Sequence, residues 1–115
     1  MMRVKRVYDE ASEDDGFRVL VDRLWPRGVS KDRAKVDLWL REVGPSDDLR
    51  KWFSHDVKKW QGFRKRYEAE LKGKQELLQR IKQAEKKKGT VTLLYSAKDE
   101  EHNQAVALAA FLQKT

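Results

Sequence analysis

The sequence predicts an α/β fold: one domain over residues 1–115, with a short, mostly parallel sheet of three or four strands flanked by helices. Three observations carry the prediction. Segments 17–22 (FRVLVD) and 90–95 (TVTLLY) each hold consecutive apolar and β-branched residues, as strands covered on both faces do. The chain between them repeats apolar residues at helical spacing, and strands separated by helices favour parallel pairing with helices on both faces. A length of 115 residues suits one core and is short for two.

Residues 3–8 (RVKRVY) form a weakly patterned strand, expected at a sheet edge. Loop 9–16 follows and carries Asp9, Glu10, Glu13, Asp14 and Asp15, with Gly16 closing it. After strand 17–22 comes Arg23-Leu24-Trp25-Pro26-Arg27-Gly28-Val29-Ser30-Lys31, where Pro26 holds Trp25 extended and Gly28 can take positive φ. Residues 36–41 (VDLWLR) fit a strand or one helical turn, because so short a run does not separate the two. Ser46 caps a helix whose first turn holds Asp47 and Asp48 and whose apolar positions are Leu49, Trp52 and Phe53; it frays near 54–56. Val57, Trp60, Phe63, Tyr67 and Leu71 make the stripe of a second helix over about 57–71. Gly73 interrupts, and Leu77, Leu78, Ile81 and Ala84 mark a third helix, which ends at Lys86-Lys87-Lys88 before Gly89. Ser96-Ala97-Lys98-Asp99 has capping-box form and is expected to open a last helix running through Leu112.

Composition narrows the function classes. No run approaches the roughly 18 apolar residues of a membrane helix, and MMRVKRVYDE lacks the apolar core of a signal peptide, so a cytoplasmic protein without membrane contact is expected. With no cysteine and two histidines, disulfides, thiolate metal sites, a cysteine nucleophile and an all-histidine zinc site are excluded; no cofactor and no metal are expected. The net charge of +7 is uneven: Arg50 to Lys88 holds 14 Lys and Arg against five Asp and Glu, while the remainder is net −2. A basic segment attracts polyanions over a screening length of about 8 to 10 Å.

In a parallel sheet the carboxyl ends of 17–22 and 90–95 share one rim, where open α/β folds bind ligands. That rim gathers Asp22, Arg23, Trp25, Arg27, Ser30 and Lys31 from one loop, Ser96, Lys98 and Asp99 from the other, and Asn103 a turn later. With Ser46 starting a helix nearby, the constellation reads as a crevice for an anionic small molecule or nucleotide, since arginine forks and free amides suit phosphate and carboxylate. Asp22 or Asp99 as general base, with Arg27 or Lys98 stabilising developing charge, would supply hydrolysis. A Ser96–His102–Asp99 cluster can be drawn, but His102 and the His55-Asp56 pair read as surface residues. Trp25 either walls the crevice or plugs the sheet edge. The alternative is a nucleic-acid-associated module on the basic face of 50–88, with Lys58, Lys59, Arg64 and Lys65 as contacts. Trp52, Trp60, Phe63 and Tyr67 interleave with those cations as single-strand binders require, yet their helical spacing marks them as core.

Val21-Asp22-Arg23-Leu24-Trp25-Pro26-Arg27-Gly28, Gly44-Pro45-Ser46 with Leu49-Arg50-Lys51-Trp52-Phe53, Phe63, Tyr67 and Glu70-Leu71, then Thr92-Leu93-Leu94-Tyr95-Ser96-Ala97-Lys98 with Asn103, together resemble the YeaO-like family of small bacterial proteins. The resemblance covers essentially the whole chain in one order, and WPRG and TLLYSAK are its distinctive parts. It implies a single α/β domain of unknown function and carries over no reaction. Some relatives have been labelled porphyrinogen methyltransferases, but this chain lacks the Gly-rich loop after a strand that a methyl donor would need.

Overall fold

β4 (Val91–Tyr95) is buried at every residue, and the fold is arranged around it. In the computed structural model, which describes residues 1–114, it lies between β1 (Met2–Arg6) and β2 (Phe17–Leu20), with β3 (Leu38–Trp39) outside β2. All three pairings are parallel, in the order β1-β4-β2-β3. The apolar run 90–95 therefore forms a strand with neighbours on both edges and packing on both faces. β1 stands at an edge, as its weak patterning predicts. Segment 36–41 divides between the two readings it allowed: a two-residue strand, then a 3-10 turn over Arg41–Val43.

The helices are α1 (Lys31–Ala34), α2 (Asp47–Phe53), α3 (Trp60–Lys72), α4 (Gln75–Lys88) and α5 (Gln104–Lys114). Successive strand residues point to opposite faces, and the two faces are covered unequally. On one, Val19, Val91, Leu93 and Tyr95 pack against α2 to α5 through Phe53, Phe63, Tyr67, Leu71, Ile81 and Leu108. On the other, Leu20 and Leu94 cluster with Val7, Ala34 of the one-turn α1, the loop side chains Trp25, Val29 and Val36, and Trp39 of β3. Helices thus reach both faces as expected, but four of the five lie on one.

Local chemistry sets the helix ends. The Ser46 hydroxyl accepts from Leu49 N (3.2 Å), as the cap reading required. α2 stops where Ser54 and His55 both take left-handed angles (φ 46° and 57°). Val57–Lys59 is a 3-10 turn, so α3 begins at Trp60; the tighter winding rotates Val57 off the stripe and leaves it 51% exposed. The other stripe residues form the core: Phe63 stacks on Phe53 (4.4 Å), Trp60 (5.6 Å) and Tyr67 (5.6 Å). Buried Tyr67 donates its hydroxyl to Val43 O at 2.6 Å. The last helix starts at Gln104, later than the Ser96–Asp99 spacing suggested. The Ser96 amide is committed to Asp22, Asp99 caps the amides of Glu101 and His102, and Asn103 caps α5 by accepting from Val106 N (3.0 Å). His55 leans on Phe53 and the Asp56 carboxylate caps Lys58 N, so no bond joins the expected surface pair among the described residues.

The acidic loop has a structural member that its sequence did not announce. A 3-10 turn over Glu13–Asp15 brings Asp15, with no exposed surface, onto the helix-poor face of the sheet. Its carboxylate accepts from Arg18 Nη1, Lys5 Nζ (3.1 Å) and Ser12 N (3.0 Å), and its carbonyl accepts from Thr92 Oγ1 (2.7 Å). Arg18 is itself buried and donates to Ala34 O (2.7 Å), anchoring α1. Gly16 completes the turn at φ 63° against Thr90 O, a position where a Cβ would collide with that carbonyl. Burial pushes the Asp15 carboxyl up, but bonds from Ser12, Lys5 and Arg18 outweigh it and hold the group below its ordinary value. Its stabilisation is therefore present above the unfolded-state value of about 3.9 and is lost as pH falls through the lower native one. Asp15→Asn leaves buried Arg18 and Lys5 without a counter-charge and is expected to cost about 3 kcal/mol, read by urea unfolding at pH 7. A loss within 0.5 kcal/mol would contradict this role.

Candidate functional site

Because every strand is parallel, their carboxyl ends form one rim. The chain leaves β2 toward β3 and leaves β4 toward α5, which packs on β1 and β4; the gap between β2 and β4 is thus the switch point at which α/β sheets open a crevice. Asp22 stands at that point. Its Oδ2 accepts from Ser96 N at 3.0 Å, its Oδ1 from Gln104 Nε2, and its carbonyl from Trp39 Nε1 at 2.7 Å. Both carboxylate oxygens are thereby used to bolt β2 to the β4 loop and to α5. Burial pushes the Asp22 carboxyl above its ordinary value, against the opposing effect of the Ser96 and Gln104 bonds and the Arg50 charge.

Arg23 and Ser46 also turn inward. Arg23 donates Nε to Pro45 O (2.7 Å) and Nη2 to Gly44 O (3.1 Å), and Lys74 Nζ reaches the same Gly44 carbonyl (3.0 Å). The Ser46 amide and hydroxyl, the donors that an anion at the start of α2 would use, are both given to the Glu70 carboxylate, at 2.9 and 2.6 Å. The protein's own side chain thus fills that position. Asn103 spans the turn before α5, donating to Asp99 O (2.9 Å). Lys98 is exposed and has no side-chain partner among the described residues.

Trp25 and Arg27 belong to a different part of the rim. Trp25 donates Nε1 to Val29 O (2.7 Å) and meets Trp39 edge-on (5.5 Å), so it plugs the β3 side of the second core cluster. The Arg27 carbonyl accepts from Tyr8 Oη (2.9 Å), tying the WPRG loop to the segment after β1. Its guanidinium is exposed, with no partner among the described residues. Between these two loops opens a cleft of about 490 Å³, walled by Tyr8, Gly28, Val29 and Arg33, with Asp9 and Asp32 among its carboxylates. That volume suits a small ligand.

No bond joins Ser96 to His102 among the described residues. His102 Nδ1 pairs with Asp99 Oδ2 (3.0 Å) while its ring stands edge-on to Trp60 (5.3 Å). The structure thus brings Asp22 to Ser96, places Arg23 against the loop that carries Ser46, turns Trp25 toward Trp39 of β3, and ties the Arg27 carbonyl to Tyr8 after β1. Sequence reasoning missed Gln104 and Glu70 as partners, and Tyr8 and Arg33 as cleft walls. Glu70 alone left a signal, lying one turn beyond Tyr67 on a helix known to be packed.

Taken together these features define a small parallel α/β domain whose switch point is closed by its own side chains. A family model described as the inactive DUF488-N3 subclade matches residues 1–115, and the chain belongs to that family. It is 45% identical over 112 residues to the uncharacterised protein YeaO of Escherichia coli K12, covering 97% of this chain and 96% of that protein, which bears out the YeaO-like resemblance. An uncharacterised protein of Mycobacterium tuberculosis H37Rv is 47% identical over 70 residues, 61% of this chain and 59% of its own. A Mycobacterium bovis protein matches to the same extent. No solved structure matches. No helix among the described residues is long and apolar enough to cross a membrane.

A buried acid whose native value is raised contributes most at low pH, and that contribution is lost as pH climbs from about 3.9 through the native value. Asp22→Asn keeps both bonds if the Gln104 amide rotates to accept. It is expected to match or exceed the wild-type melting temperature at pH 7 and to flatten the fall in stability above about pH 4. Asp22→Ala, which strands the Ser96 and Gln104 donors, should instead lose about 1 to 3 kcal/mol. Identical pH curves for wild type and Asp22→Asn would refute the assignment.

Proposed function

We infer that this protein is a binding module rather than a catalyst, and that it takes a small anionic molecule, nucleotides included, in the cleft at the carboxyl ends of β1 and β2. The observation that carries the reading is Arg27: an exposed guanidinium without a partner among the described residues, on the loop whose Gly28 and Val29 wall the cleft. Arg33 on the same wall adds a second fork for a phosphate or carboxylate. Lys35 adds a second cation to the lining, and the three carboxylates Asp9, Glu10 and Asp32 favour an anion that also carries hydrogen-bond donors, as a nucleobase or an amino acid does. Binding without turnover is supported by the family's description as inactive, and by the engagement of the Asp22 carboxylate with the Ser96 amide and Gln104 and of the Ser46 hydroxyl with Glu70.

Calorimetric titration with a panel of nucleotides and anionic metabolites at 150 mM salt checks this reading. One ligand is expected to bind with an affinity that Arg27→Ala lowers tenfold or more, while the unliganded melting temperature stays within about a degree. Unchanged affinity in Arg27→Ala, or no binding across the panel, would overturn it. Turnover of any panel member by the wild type would refute the non-catalytic half.

A further inference from the structure

The excess positive charge of residues 50–88 is not neutralised within the fold. Four of the segment's five acids are spent internally: Asp56 caps Lys58 N (3.0 Å), Glu68 pairs with Lys114 (3.3 Å), Glu70 accepts from Ser46 (2.9 Å), and Glu85 meets the Met1 ammonium (3.1 Å). Glu76 alone has no partner among the described residues. Of the fourteen cations, Arg50 pairs with Asp47, Lys59 and Lys74 donate to backbone carbonyls, and Arg66 lies over the Trp52 ring. The remaining ten have no side-chain partner among the described residues. Lys59, one of the contacts expected from sequence, is thus occupied with Trp52.

Helical geometry orders these free charges. On α3, Phe63, Tyr67 and Leu71 face the core, which turns Lys65 and Lys72 to the opposite side. On α4, Leu78 and Ile81 face the core and Arg80 and Lys87 point away. Each pair is two turns apart, about 10 Å along its axis, and α3 and α4 pack on the same face of the sheet. We propose that the outer surface of α3 and α4 binds the sugar-phosphate backbone of a nucleic-acid duplex without regard to sequence, through Lys65, Lys72, Arg80 and Lys87. Two further observations select this partner. A single strand would need free aromatic faces to stack on, whereas Trp60, Phe63 and Tyr67 are packed against one another and Trp52 lies under Arg66. A basic surface holds an anionic membrane more firmly when exposed apolar side chains insert beside it, and the large ones exposed here (Met1, Tyr8, Leu24 and Val57) lie outside α3 and α4.

Fluorescence polarisation with a labelled 24-base-pair DNA duplex of arbitrary sequence tests the proposal. Four phosphate contacts predict an affinity drop on the order of 100-fold between 50 and 200 mM salt. The combined variant Lys65→Glu, Lys72→Glu, Arg80→Glu and Lys87→Glu should lose binding at 50 mM with an unchanged circular-dichroism spectrum. If that variant fails to fold, the corresponding four-glutamine variant is expected to weaken binding at least tenfold. Arg27→Ala should bind the duplex as the wild type does, which separates this surface from the cleft. Salt-independent binding, wild-type affinity in the folded charge variants, tighter binding to the single strand, or binding only to phosphatidylserine vesicles would each overturn it.

Discussion

The fold depends on a single buried ion cluster, because its sheet has a full helical layer on one side only. The other side is closed by loops, Trp39 of β3 and a four-residue helix. Asp15 joins them. Its carboxylate links β1 through Lys5 and β2 through Arg18, its carbonyl takes the Thr92 hydroxyl of β4, and Arg18 passes the connection on to the end of α1 at Ala34. Each charge in the cluster has hydrogen-bonding partners, the condition under which burying it is tolerated.

The same economy explains the rim. At a parallel sheet's switch point, exposed amides and helix starts attract an anion, and here carboxylates of the chain itself take those places. Asp22 holds the Ser96 amide, and Glu70 holds the amide and hydroxyl of Ser46. A ligand at either point would have to displace a side chain that is already well bonded. The WPRG loop differs, since Pro26 is buried and Trp25 is locked onto Val29 and Trp39 while Arg27 projects free.

Some elements were legible because their causes are local. Ser46 as a cap, the apolar rows of α3 and α4, and the continuous apolar strand β4 follow from neighbours within a turn or two. The start of α5 was misplaced because the spacing of Ser96 and Asp99 satisfies a capping rule without revealing that the Ser96 amide had another suitor, 74 positions away. Val57 slipped from its stripe for a related reason, as a 3-10 turn winds tighter than the helical period used to read it.

By itself the sequence determined the strands at 17–22 and 90–95, the helices between residues 47 and 88, a mostly parallel sheet, the packing of the α3 aromatics, and the positive charge between residues 50 and 88; it left 36–41 undecided and did not show the one-turn α1. Only the tertiary structure decided what each charged side chain does. Asp15 and Asp14 are adjacent and chemically alike, yet one is buried as a hub and the other is exposed. Glu70 and Glu76 lie six positions apart, and one is bonded while the other has no partner among the described residues. The reason is physical: periodicity and caps act within a few residues, whereas a carboxylate's partner is chosen by proximity in space, which exists only after the sheet has formed.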